Sequence, residues 1–252
     1  MIATLAMYDR VELRDANDLY WREIQTSLGY GPQSLSRTGN LFAQWFHQDL
    51  VLGQTCGFPL RHILKDSVKY VGTPNYGIED CPAGYYNSVI ISHKDQGLEA
   101  AISGTFAYND PFSQSGWAAP MRYFEEFGYV PRHFLKTGSH AASARAVFEK
   151  RADIAAIDAL TLRLLHRYDP WSDELFVLAK TPATPGLPYI CAPQFDAPQT
   201  ALACEEAINT LPAEIRGQLS IKSIEYIPIE RYFDVPDTMV CPPNKQDTGT
   251  TP

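Results

Sequence analysis

Apolar and polar positions along the chain alternate between two periods, and the switches mark the elements. Residues 2–7 read as a buried first strand. In "YDRVELRDANDLYWREIQTSLGYG", Trp21, Ile24 and Leu28 fall on one helical face, with Asp15 as N-cap and Gly29 just past the end. A short helix is predicted over 40–47. "DLVLGQTCGFPL" gives a short apolar strand, a turn at Gln54-Thr55 and a helix from Gly57-Phe58. "SVKYVGTPNYG" and "YYNSVIISH" are further strands. "GTFAYN" is a strand, followed by a helix that starts near Gly116–Trp117, because Pro120 fits only a first turn. Then come a strand in "RHFLKTG", a helix in "SHAASARAVFEK", a strand in "ADIAAID" and a helix in "ALTLRLLHRY". "LFVLAKTP" and "PYICAP" are strands, "PQTALACEEAINTL" a helix, and "IKSIEYIPI" a last strand before a polar tail from Pro242.

Strands alternating with helices predict an α/β fold with largely parallel sheets. Connectors are expected near 86–93 and 174–192, the second carrying Pro182, Pro185 and Pro188. They divide the chain into a discontinuous first lobe, 1–88 plus 192–252, and a second lobe, 89–191.

Composition narrows the function without fixing it. The 252 residues are 45% hydrophobic, ample for a sizeable core, and the net charge is −8 with no basic block of the kind that grips nucleic acid. No apolar run reaches the roughly 18–20 residues that span a bilayer. The start, "MIATLAMYDR", has no basic n-region or small-residue cleavage site, so the expected location is periplasmic if a signal peptide has been removed and cytoplasmic otherwise. The five cysteines form no Cys-x-x-Cys pair, which argues against a zinc or redox motif; Cys56 and Cys81, in two Gly/Pro-rich loops, would bridge only if the loops meet. The histidines show no metal spacing, and the sequence carries no Gly-x-Ser-x-Gly elbow, phosphate-binding Gly-Lys-Ser/Thr loop, dinucleotide fingerprint or His-Glu-x-x-His. No catalytic residue, metal or cofactor is expected.

The informative polar residues fall where strands run into helices, the side of an α/β sheet on which ligands bind. Strand one ends in Met7-Tyr8-Asp9. The next ends in Gln54-Thr55. "GTFAYN" leads into Ser113-Gln114-Ser115-Gly116, "RHFLK" into Thr137-Gly138-Ser139-His140, and "ADIAAI" into Asp158. Two of these loops bring small hydroxyls and a glycine to a helix start, where unpaired N–H groups and the helix dipole attract an anion. Each serine alone is also an ordinary cap, and Asp158 an ordinary cap for the helix that follows it.

The stretches "LVLGQTCGFPL", "YVGTPNYG", "AYNDPFSQSGW", "TGSHAASARAVFEKRADIAAID" and "TPATPGLPYI" together resemble the phosphate/phosphonate-type substrate-binding proteins of ABC transporters, in order over most of residues 2–192. The resemblance implies a type II periplasmic-binding-protein fold, two α/β lobes that close on a ligand held in the cleft between them, and no catalysis. It implies that Ser113, Gln114, Ser115 and Gly116 form an oxyanion loop, that Ser139 and His140 donate from the next helix, that Asp158 lies near the position where an acid meets a ligand amine, and that Tyr8, Gln54 and Thr55 contribute from lobe one. The family loop often reads Ser-Thr-Ser; here Gln114 replaces the middle hydroxyl. The implied partners are a small anionic ligand and, for an exported chain, a transporter permease, with the protein itself a monomer. The alternatives are a small enzyme on the same fold, related to the handling of thiamin-pyrimidine precursors with Cys56 or His140 as chemical groups, and a cytosolic ligand sensor.

Overall fold

The structure is a computed structural model, and it describes residues 1–243. Its strands are β1 (Ile2–Thr4), β2 (Leu50–Gln54), β3 (Lys69–Asn75), β4 (Tyr85–Tyr86), β5 (Ser88–Ser92), β6 (Thr105–Tyr108), β7 (His133–Lys136), β8 (Ile154–Asp158), β9 (Phe176–Lys180), β10 (Thr184–Pro185), β11 (Tyr189–Cys191) and β12 (Ser223–Glu225). Its α-helices are α1 (Arg14–Leu28), α2 (Leu41–Trp45), α3 (Gly57–Pro59), α4 (Leu98–Ile102), α5 (Ala119–Glu126), α6 (His140–Phe148), α7 (Ala159–Tyr168), α8 (Ala197–Thr210), α9 (Ala213–Leu219) and α10 (Glu230–Phe233). No helix among the described residues is long and apolar enough to cross a membrane.

The chain divides into two units. The first comprises Met1–Tyr86 and Ala183–Val235; the second comprises Asn87–Pro182 and the described residues from Pro236. The sequence reading carries lobe one to the C-terminus. In the structure the segment after Val235 packs with the second unit instead: the Met239 N–H and Thr238 Oγ1 donate to the Glu125 carboxylate, and Val240 covers apolar side chains there. Most of the polar tail expected from Pro242 lies outside the described residues.

In the first unit the sheet order is β1-β2-β11-β3-β12. Alternate residues feed opposite faces, as a period of two requires. Val51, Val71, Tyr189 and Cys191 pack under α1 and α8 with Tyr20, Trp21, Ile24, Cys204 and Ile208. Leu50 and Ile190 turn the other way, onto Trp45, Leu60, Leu64 and Tyr232. A 3-10 turn, Val11–Leu13, runs straight into α1, so Asp15 lies inside the first turn rather than at the N-cap. An acid there still suits the helix dipole. Cys56 and Cys81 are free thiols, and Cys56 Sγ instead approaches the Tyr86 hydroxyl at 3.9 Å.

In the second unit the order is β7-β6-β8-β5-β9. Val89, Ile91, Ala107, Ala155 and Ile157 face α6 and α7. Ile90, Phe106, Tyr108, Ile154 and Ala156 face Trp117, Met121 and Phe124 on the opposite side. Small residues, Ala144 and Val147, let α6 lie close on the sheet.

The expectation of largely parallel sheets needs correction. β1 pairs with β2 in parallel, and β6 with both β7 and β8, but β11 runs antiparallel between β2 and β3, and β5 runs antiparallel between β8 and β9. These antiparallel strands lie next to the passages between units, where the chain enters a sheet without a helical crossover. The predicted strand in "YYNSVIISH" is likewise broken at Asn87, between β4 and β5.

Candidate functional site

Because β7, β6 and β8 are adjacent and parallel, the loops that follow them emerge from one edge of the second unit's sheet. The loop after β6 carries Ser113–Gly116, the loop after β7 carries Thr137–His140, and β8 ends on Asp158. The structure therefore brings Ser113, Gln114, Ser115, Gly116, Ser139, His140 and Asp158 to the same strand-end edge.

The helix after β6 begins at Gln114, two residues before the predicted start. Its first turn, Gln114–Ala118, is a π turn, with the Ala119 N–H reaching the Gln114 carbonyl, and it hands over to α5 beside Pro120. The wider turn accommodates a proline deeper in the helix than an α-turn would. Ser113 caps it: its Oγ accepts from the Gly116 N–H at 2.9 Å. Gln114, Ser115 and Gly116 are buried in this turn. Ser139 caps α6 in the same manner, its Oγ accepting from Ala142 N–H at 3.1 Å, while Gly138 at φ +89° supplies a left-handed turn that L side chains rarely adopt. A capping serine accepts with its oxygen and keeps its own proton to give, so capping and anion binding do not exclude each other.

The two helix starts touch. Ser115 Oγ and His140 Nε2 lie 2.9 Å apart. His140 Nδ1 is sealed from solvent with no protein group at hydrogen-bond geometry. Burial pushes the imidazole pKa down from its ordinary value to about 4, and the opposing pull of the Ala156 carbonyl is too weak to offset this. The ring is neutral near pH 7. The unfolded chain, with a His pKa of ~6.5, binds a proton that the folded chain refuses between about 4 and 6.5. Stability from this group is complete above pH ~6.5 and lost as pH falls towards 4, by up to ~3 kcal/mol. Urea unfolding at pH 7, 5.5 and 4.5 should show this component in the wild type and not in His140→Gln; parallel pH profiles would refute it.

Gly116 is required by space. A Cβ there would overlap the Asn109 carboxamide and lie 3.1 Å from His140 Cε1. Gly116→Ala should lower stability by ~1–3 kcal/mol, and removing the obstacle in Gly116→Ala/Asn109→Ala should restore most of it. Equal melting temperatures for the single variant and wild type would show that the loop has slack.

Asp158 is 1% exposed, and its Oδ1 accepts from the Thr161 N–H at 2.9 Å, so its carboxylate caps α7. Its neighbour across the β5–β8 ladder is Ser88, and Asn87 just before it takes the Ala159 N–H on its carbonyl.

Tyr8, Gln54 and Thr55 belong to the first unit. Gln54 Nε2 donates to the Tyr76 hydroxyl at 3.0 Å, and the Tyr8 and Tyr76 rings meet edge to face at 5.2 Å. Tyr8 and Gln54 line a small cavity with Asn17, Tyr20, Tyr76 and Tyr189. Burial raises the Tyr20 and Tyr189 phenols well above the ordinary value, so both stay neutral. Thr55 is completely buried, with its N–H on the Pro188 carbonyl; it does not line that cavity.

Sequence reasoning missed Asn109 and Tyr76. Asn109 sits in the turn signal Asn-Asp-Pro, but nothing in the spacing places it against Gly116. Tyr76 follows Asn75 in "PNYG", which reads only as a loop. No group of three or more metal-ligating side chains occurs among the described residues.

Comparisons with known proteins bear on this arrangement. The family model described as "ABC transporter, phosphonate, periplasmic substrate-binding protein" matches residues 67–225, more than half of the chain. Among solved structures, PhnD1 from Prochlorococcus marinus in complex with methylphosphonate is similar at 15% identity and a TM-score of 0.72, over 92% of this chain and 93% of that one. The binding-protein component of an ABC phosphonate transporter from Pseudomonas aeruginosa is similar at 18% identity and a TM-score of 0.67, over 89% and 80%. XAC2383 from Xanthomonas citri, bound to ATP, is similar at 12% identity and a TM-score of 0.63, over 88% and 94%. At such identities these likenesses speak for the two-lobed periplasmic-binding-protein fold alone. A search of curated proteins gives no match. The family is one of solute-binding proteins rather than catalysts, and nothing favours the enzyme alternative. With an α/β fold of this kind and a family match that runs through both candidate loops, the chain belongs to the phosphonate-type periplasmic substrate-binding proteins of ABC transporters.

Proposed function

We propose that this chain captures a small tetrahedral oxyanion of the phosphonate class through the second unit's strand-end edge. Ser113–Gly116 and Ser139–His140 hold the anionic oxygens, and Asp158 borders them. The observation that carries this reading is the meeting of two capped helix starts at Ser115 and His140. Two positive helix-dipole ends with serine hydroxyls beside them meet there, which matches the acceptor-rich surface of a phosphonate. The family supports the periplasm as the place of work and a transporter permease as the receiver of the ligand.

A thermal-shift panel of phosphate, phosphite, methylphosphonate, aminoalkylphosphonates and methanesulfonate tests the reading, followed by calorimetry on the best binder. A ligand at 100 times its Kd adds ~2.7 kcal/mol to stability. A panel in which no phosphorus oxyanion raises the melting temperature would overturn it.

A further inference from the structure

Ser115 has one hydroxyl proton, and two groups compete for it. With a neutral His140 ring protonated on Nδ1, Nε2 takes the Ser115 proton across 2.9 Å. Ser115 then offers an incoming anion only lone pairs. For Ser115 to donate to a ligand oxygen, Nε2 must carry a proton and donate back to Ser115 Oγ. A ring that is protonated on Nε2 alone leaves a bare Nδ1, sealed from solvent and without a protein donor. A buried polar atom left this way is unfavourable. A ring protonated on both nitrogens leaves no bare lone pair there, and the Ala156 carbonyl favours the protonated ring.

We propose that the oxyanion is captured together with a proton: binding draws one proton from solvent onto His140, which becomes an imidazolium donating through Ser115 to the ligand. The step breaks no covalent bond of the ligand. One proton leaves water or buffer and ends on an imidazole nitrogen. The proposal rests on the functional reading above.

The surroundings favour this coupling. His140 is the first residue of α6, where the helix dipole opposes a positive charge until an anion arrives. Burial holds the imidazole neutral near pH 7. The titratable groups on the elements packed against it are few. Tyr108 and Asp110 lie at the end of β6, with Asp110 paired to Lys136 of β7 at 3.1 Å, and Asp158 at the end of β8 caps α7. None of these appears among the causes of the imidazole's shift. By linkage, a ligand that raises the imidazole pKa binds more tightly as pH falls.

The test uses the full chain and methylphosphonate. Calorimetry in buffers of different ionisation enthalpy, from pH 5 to 8, gives the protons taken up on binding. The ligand titrates too, so the wild type is compared with His140→Gln. The wild type should take up as much as one additional proton, and its affinity should fall up to tenfold more steeply per pH unit. Equal uptake and equal slopes would overturn the proposal. If His140→Gln does not bind or fold, nitrogen NMR of the wild-type histidine decides: an imidazolium signal with methylphosphonate and a neutral ring without it support the proposal, and a neutral ring in both states overturns it. Binding with a neutral ring removes the proton coupling and leaves the functional reading standing. If methylphosphonate and the other phosphorus oxyanions all fail to bind, both fall.

Discussion

Replacing Trp117 with alanine is expected to lower stability by ~3–5 kcal/mol and to weaken ligand binding as well. Trp117 is 1% exposed and stands in the π turn between Ser113 and α5. Its ring packs against Tyr108 at 4.8 Å and Phe134 at 5.3 Å, so it ties the end of β6 to β7. Truncation leaves a cavity that these neighbours cannot fill without moving the turn that presents Ser115. At ~2–4 °C per kcal/mol for a chain of this size, the melting temperature should fall by roughly 6–20 °C. Trp117→Phe keeps a ring and should lose much less. A fall of under ~2 °C in Trp117→Ala would mean that the turn is held by other contacts.

Ser115→Ala should act the other way round, with a large effect on binding and a small one on the fold. A hydrogen bond to a charged ligand is worth ~1.5–3 kcal/mol, which corresponds to a roughly 10- to 150-fold weaker Kd for methylphosphonate. Stability without ligand should drop by only ~1 kcal/mol, the worth of the lost contact to His140. Ser139→Ala should weaken binding over the same range. It also loses the α6 cap to Ala142 N–H, so ~0.5–2 kcal/mol of stability goes with it. Calorimetry alongside thermal unfolding separates the two serines. If both variants bind within twofold of wild type while losing stability, the serines are caps and nothing more.

The two variants differ in how readable their sites are from sequence. Ser139 is legible because Thr-Gly-Ser-His before an alanine-rich amphipathic run is a local signal of a capped helix start, and its neighbour β7 is set by a plain apolar strand pattern. The same holds for β6 and β8, whose alternating residues name both faces of the sheet. The Ser115–His140 contact is not legible: it joins residues 25 apart, and its geometry depends on a π turn that no periodicity announces. Strand direction was also hidden. A period of two fixes which residues face the core but not which way β5 and β11 run, so the sheets are more antiparallel than the pattern implied. The Glu125 contacts of Thr238 and Met239 span more than a hundred residues, beyond the reach of any local pattern.

The π turn at Gln114–Ala118 also sets where the helix can change in length. Such a turn holds one residue more than the α-helical turn it replaces, and each residue of an α-helix advances by about 100°. A single-residue deletion within it closes the turn to an α-helical one, with α5 still anchored by Met121 and Phe124, whereas the same deletion inside α5 would turn its apolar face by about 100°. Among homologous chains a one-residue gap is therefore expected in this turn sooner than within α5, with the turn changed from π to α where it occurs.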